Sequence, residues 1–191
     1  GGTMELLVYS MAHRIDVIAE VLKLKPSLAD AVLPPGWDDG GSEEVATDIM
    51  RLAIRYGARF ENASAWNLRW TVARYPSLFK LLQEHGADPH VQVLQIAGAQ
   101  PRRWRDADHH LRTIRFLVEE CGGDVNTRDD EGFTPLAHAA REGYAHLVDY
   151  FLARGAEVNP EAPDWAKPLY LARRNGHAAI AESLLRHGAA D

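Results

Sequence analysis

The chain has 191 residues, 46% hydrophobic and 25% charged, with a formal net charge of −6, which is the balance of a globular protein able to bury a core. That acidity provides no general field for nucleic acid. The single cysteine, Cys121, excludes an internal disulfide, and no apolar run approaches the roughly 20 residues that cross a bilayer.

From the N-terminus, residues 6–11 and 15–24 read as a first helix pair that ends before Pro26. Residues 33–42 are dense in proline and glycine and predict an exposed loop, with Ser42 as N-cap ahead of Glu43 and Glu44. Val45, Ile49, Leu52 and Ala53 carry a helical stripe that leaves through Tyr56-Gly57-Ala58. Residues 68–74 predict a short first helix, Tyr75-Pro76 stands in place of a glycine turn, and the following helix leaves through His85-Gly86-Ala87. Residues 93–98 and 109–121 form the next pair. An insertion at residues 99–108 separates them.

The remainder is more regular. Thr134-Pro135 opens a helix, because proline at the first helical position gives up an amide hydrogen that would be unpaired anyway. Leu136, Ala139 and Ala140 supply an apolar face of small residues, and Gly143 turns the chain into a helix striped by Leu147, Val148, Phe151 and Leu152. Gly155 ends that helix, and Val158-Asn159 leads into a finger. The plan recurs in Leu169, Leu171 and Ala172, the turn Asn175-Gly176-His177, then Ile180, Leu184, Leu185 and Gly188. Lys167 takes the place of the threonine, so one local hydrogen bond should be missing.

Gly143 and Gly176, Pro135 and Pro168, and Gly155 and Gly188 are each 33 residues apart, as are Gly122 and Gly155. A shared offset among independent landmarks marks a repeat. The phrases Asp130-Glu131-Gly132-Phe133-Thr134-Pro135-Leu136, Ala139-Ala140-Arg141-Glu142-Gly143 and Gly155-Ala156…Val158-Asn159 resemble the ankyrin repeat, clearly over residues 122–191 and in degenerate form over residues 4–121. The earlier glycine exits continue the series at 29 residues (Gly57 to Gly86) and 36 residues (Gly86 to Gly122). The resemblance implies an all-α solenoid of about five to six stacked helix-turn-helix units with short hairpin-like fingers. Residues 4–191 would then form one domain, after a cloning remnant at residues 1–3.

By the same resemblance, the exposed binding positions lie around the finger glycine and at the end of the first helix. They are Asp130, Glu131, Phe133, Arg141 and Glu142, then Asp164, Ala166, Arg174 and Asn175. Phe133 has two readings: a hot spot with a polar rim, or a ring packed against Trp165 of the next finger. Trp66 near a helix start is read as reaching the surface, and Trp70 as core. In the insertion, Arg102, Arg103, Trp104 and Arg105 could stack on and neutralise an anionic or aromatic partner. The plainer reading is a solvated loop in which Asp106 and Asp108 answer the arginines.

Asp106, Asp108, His109 and His110 raise the question of a metal, but adjacent histidines on a helix diverge by about 100° and no zinc-type spacing accompanies them. The serines lack a nucleophile-elbow context, acids beside Cys121 work against a thiolate, and Gly40-Gly41-Ser42 lacks the lysine of a phosphate loop. The expectation is a non-catalytic, monomeric interaction module without cofactor or metal. It would bind another protein through its concave face and finger tips, not a membrane or nucleic acid, inside the cell in cytoplasm or nucleus. Two alternatives stand beside it: a small-molecule or catalytic pocket in the irregular N-terminal half near Trp66, Trp70 and Trp104, or the repeat portion of a larger protein whose activity lies elsewhere.

Overall fold

The computed structural model describes residues 15–24, 26, 42–57, 65–99 and 106–190, with backbone alone at residues 65–67, 69 and 70. The helix expected at residues 6–11, the loop at 33–41 and residues 100–105 of the insertion lie outside the described residues. The chain divides into two compact units, residues 1–88 and 89–191. Helices account for the regular structure of both, and no strand occurs among the described residues.

The first unit contains α1 (Ile15–Leu24), α2 (Glu43–Arg55), α3 (Ala65–Arg74) and α4 (Pro76–Gln83). Apolar residues three and four apart face inward: Ile18 and Leu22 on α1, Ala46, Ile49, Met50 and Ala53 on α2, Leu78, Phe79 and Leu82 on α4. Helix α2 packs against both α1 and α4, and α4 against α3. Ser42 caps α2 by accepting from the Val45 amide at 3.3 Å. Glu43 reaches across to accept from the Ser77 amide at 3.1 Å, so one carboxylate serves the starts of two helices. Tyr75-Pro76 makes the expected proline turn, with Pro76 in the first turn of α4.

The second unit is a stack of three helix pairs: α5 (Pro89–Ala97) with α6 (Ala107–Arg115), α7 (Pro135–Glu142) with α8 (Ala145–Ala153), and α9 (Pro168–Arg174) with α10 (Ala178–Arg186). The first helices α5, α7 and α9 pack in one row and the second helices α6, α8 and α10 in another. Leu136, Ala137, Ala139 and Ala140 are fully buried, which is why small residues are needed where first helices approach. Thr134 caps α7 by accepting from the Ala137 amide at 3.2 Å, whereas Lys167 makes no such cap on α9.

Helix α6 runs on into a π-helical turn, Phe116–Glu120. There the Gly123 amide donates to Leu117, six residues back, at 2.8 Å, whereas Ala156 and Ala189 reach five residues back to Phe151 and Leu184. The π turn therefore absorbs one extra residue. Asparagines hold each pair to the next: Asn126 accepts from the Glu157 amide and Asn159 from the Ala190 amide, both at 2.8 Å. His90 does the same for Asp124 through Nδ1 at 3.0 Å.

Gly143 sits at φ 82, and a Cβ there would lie 2.6 Å from the His177 ring, whose Nε2–H donates to the Arg141 carbonyl at 3.1 Å. Gly155 has a similar φ of 78 with open space around it. Gly143→Ala should therefore destabilise by roughly 2–3 kcal/mol against about 1 kcal/mol for Gly155→Ala, whose cost is the left-handed backbone alone. Equal losses in urea unfolding of the two variants would show that His177 does not constrain this turn.

Candidate partner-binding surface

The surface is built on two fingers of the second unit and the ends of α7 and α9. In the first finger a single carboxylate does the folding. Asp129 Oδ1 accepts from the amides of Glu131 (3.0 Å) and Phe133 (2.8 Å). The backbone closes a hairpin-like turn through Asp129 N–H to Phe133 C=O at 3.1 Å. Its Oδ2 accepts from His138 Nε2–H at 3.1 Å. Burial, then Arg141, hold the His138 imidazole below its ordinary pKa against the pull of Asp129, so it is neutral and donates. Asp129 was not among the residues that the sequence pointed to.

The second finger is a short 3-10 turn, Asp164–Ala166, in which Lys167 pairs with Asp164 at 2.6 Å. Arg128 ties the fingers together, donating to the Glu161 carbonyl and pairing with Glu157, both at 2.7 Å.

Two positions expected on the surface are inside. Phe133 is 6% exposed and Ala166 is fully buried, in one cluster with Ala137 and Leu171. The Phe133 ring meets Trp165 edge-on at 5.4 Å and stacks on His138 at 5.3 Å, so of its two readings the packed one describes the geometry. What reaches solvent is Trp165, 45% exposed. Arg141 lies over the Phe133 ring at 5.5 Å and pairs with Glu142 at 2.9 Å, a guanidinium held on two sides. Asp130, Glu131, Asp164, Arg174 and Asn175 are exposed. The structure thus joins Phe133, Arg141 and Glu142 directly and places Trp165, which sequence reasoning had as a packing partner, at the exposed end of their aromatic contact.

Trp66 lies on α3 with its side chain outside the described residues, as does that of Trp70. Arg102, Arg103, Trp104 and Arg105 also lie outside them. The residues flanking that insertion are anchored. His110, 2% exposed, donates through Nε2–H to the Ile96 carbonyl at 2.8 Å, and Tyr144 donates to the Ala99 carbonyl at 2.6 Å. Their rings meet at 5.0 Å. Burial pushes the His110 imidazole down to about 4 and the Tyr144 phenol up to about 12. Among the described residues no group of three or more metal-ligating side chains is gathered, and no helix is long and apolar enough to cross a membrane.

Residues 105–191 match the family model of ankyrin repeats, in 3 copies. The chain is 37% identical to alpha-latroinsectotoxin-Lt1a of Latrodectus tredecimguttatus over 93 residues, 46% of this chain and 6% of that protein. It is 39% identical to the human ankyrin repeat domain-containing protein 49 over 56 residues, 29% of this chain and 23% of the relative. It is 35% identical to the 26S proteasome non-ATPase regulatory subunit 10 of Dictyostelium discoideum over 57 residues, 30% of this chain and 25% of that subunit. The chain spans no more than a quarter of the length of these relatives.

The buried His110 makes stability depend on pH. Its ordinary value of 6.5 falls to about 4 in the fold, so the unfolded chain binds a proton that the native one refuses between those values. Stability is present above pH 6.5, falls as pH drops and levels near pH 4, by roughly 2–4 kcal/mol. His110→Gln, which keeps a side-chain N–H for Ile96, should shrink that loss in melts run from pH 7.5 to 4.5. An unchanged pH slope would assign the loss to other groups.

Proposed function

Because residues 105–191 are ankyrin repeats, a module of protein–protein interaction, we propose that this chain is a non-catalytic, monomeric adaptor. It binds a protein partner through the finger tips and first-helix ends of its regular repeats, with no cofactor. The observation that carries the reading is Trp165: a large aromatic side chain, 45% exposed, fixed from beneath by Phe133, with exposed Asp164 beside it in its own finger and exposed Asp130 and Glu131 in the finger before. Exposed aromatic anchors within a polar rim are where binding energy concentrates. Arg141 adds a second anchor, immobilised before any partner arrives, which lowers the ordering cost of association. Phe133 acts here by support, holding one finger against the next.

The relatives differ as whole proteins, a latrotoxin and a proteasome regulatory subunit among them, and each is similar to only part of this chain. Likeness of a part to such different proteins supports a common scaffold and leaves the partner to local side chains. Quantitative affinity capture should separate the surfaces. Trp165→Ala with Arg141→Ala is expected to lose specific partners at least about ten-fold, while Arg112→Ala, on the second-helix row, retains them. Capture profiles that stay the same across all three proteins would remove the finger surface from consideration.

A further inference from the structure

The finger that carries Phe133 is fastened to α7 by a histidine whose surroundings suit only its neutral form. His138 donates through Nε2–H to Asp129 Oδ2 at 3.1 Å, and its ring stacks on Phe133 at 5.3 Å. Its other nitrogen, Nδ1, is enclosed and has no hydrogen-bond partner. A Cβ at Gly98, just after α5, would lie 3.0 Å from that nitrogen and 3.6 Å from the Arg141 guanidinium. Glycine there leaves room for the ring and offers no side chain to accept from it.

Protonation would act on this arrangement in two ways. Nδ1 would gain an N–H with nothing to accept it, which is costly in an enclosed place. The ring would also become cationic next to Arg141, a like charge. Among the described residues the charged groups that act on the ring are Asp129 in the finger and Arg141 and Glu142 on α7, with none from α5, α8 or α9. Burial and then Arg141 outweigh the two carboxylates, so the enclosed imidazole lies below its ordinary 6.5. A ring turned out into solvent takes its proton at the ordinary value. The closed finger is therefore favoured above pH 6.5, and that advantage is lost as pH falls.

The contacts at stake are specific. Asp129 Oδ1 accepts from the amides of Glu131 and Phe133, a geometry that depends on how the carboxylate is turned, and the Phe133 ring meets Trp165 at 5.4 Å. We propose that His138 is a proton-operated latch: a proton taken from solvent at Nδ1 swings the ring out of its enclosure, frees Asp129 and loosens the first finger beneath Trp165. The surface is ordered at neutral pH and loosened in acid, so a bound protein partner is released there. This last step rests on the reading of the fingers as the docking surface.

Two measurements on the full chain test the latch without a partner. In proton–nitrogen correlation spectra of the histidine rings, followed from pH 7.5 to 5.0, His138 should titrate below 6.5, and the Glu131 and Phe133 amide shifts should follow its midpoint. In hydrogen–deuterium exchange, protection of those two amides, corrected for the intrinsic effect of pH, should fall at least about three-fold over that range. His138→Gln, which keeps an N–H for Asp129 and takes no proton, should hold them level. His110→Gln should respond as wild type does, which separates the latch from the global loss expected of His110. The latch is overturned if His138 titrates at or above 6.5, or if the amides gain protection in acid through a tighter ion pair with Asp129. It is equally overturned if His138→Gln falls as wild type does or if His110→Gln abolishes the response. Should His138→Gln not fold, the wild-type titration decides. Partners lost at pH 7.5 from the Trp165 and Arg141 variant, with no acid response in the finger amides, remove the latch alone. An acid response with capture unchanged in that variant removes the docking role of the fingers instead.

Discussion

A pair of helices of eight and nine residues, as in α7 with α8, has no interior of its own and becomes stable only when a neighbouring pair covers it. The distance of closest approach between first helices therefore governs the second unit. Ala137, Ala139 and Ala140 set that distance by their size, and each is fully buried as a result. Other features keep the register once it is set. His90, Asn126 and Asn159 each accept one amide from the segment that follows a second helix, 34, 31 and 31 residues on. His177 lies beneath Gly143. Replacing any of the alanines with a larger side chain would separate the layers and loosen every one of these contacts together.

Close stacking also explains why the fingers are usable as a surface. A finger of a few residues has too little buried area to be rigid by itself. Here Asp129 satisfies two of its own loop's amides and holds His138, and the Phe133 ring fills the gap to the next finger. Arg128 adds contacts to Glu157 and Glu161, exposed ones of small individual value that nonetheless fix the spacing of two fingers. Trp165 is thus presented on a support with a defined geometry. Rigidity gained from neighbours during folding need not be supplied again when a partner binds.

The residues that were legible in the sequence are those whose backbone chemistry is special. Prolines at helix starts, glycines at exits and turns, and the caps Ser42 and Thr134 all stand where their spacing placed them, because each is needed at a single kind of position. The missing cap at Lys167 was legible for the same reason. Burial in the fingers was not. Phe133 sits among Asp130, Glu131 and Arg141 in sequence, a composition that reads as exposed, and the residue that covers it, Trp165, lies a full repeat away. Asp129 was overlooked because it precedes a second aspartate, and nothing in their order says which one turns back to its own loop.

Spacing between glycine exits also concealed a redistribution of length. Gly86 to Gly122 is 36 residues, close to the regular 33, yet the two pairs it compares are built differently. The regular finger runs from Gly122 to Pro135, whereas Gly86 is followed by Pro89 and the start of α5 almost at once. The residues missing from that finger are offset by the insertion between α5 and α6 and by a longer second helix, nine residues of α6 plus five of the π turn against nine in α8. A finger is lost at one end of the helices, while the connection and the second helix are lengthened. Buried first-helix positions resist such changes, because they must match a neighbour, while finger and loop lengths answer to solvent or to a partner. The near-regular period therefore reports the conserved stacking distance of the helices and conceals the rims, which is where one stack of this kind can differ from another in what it binds.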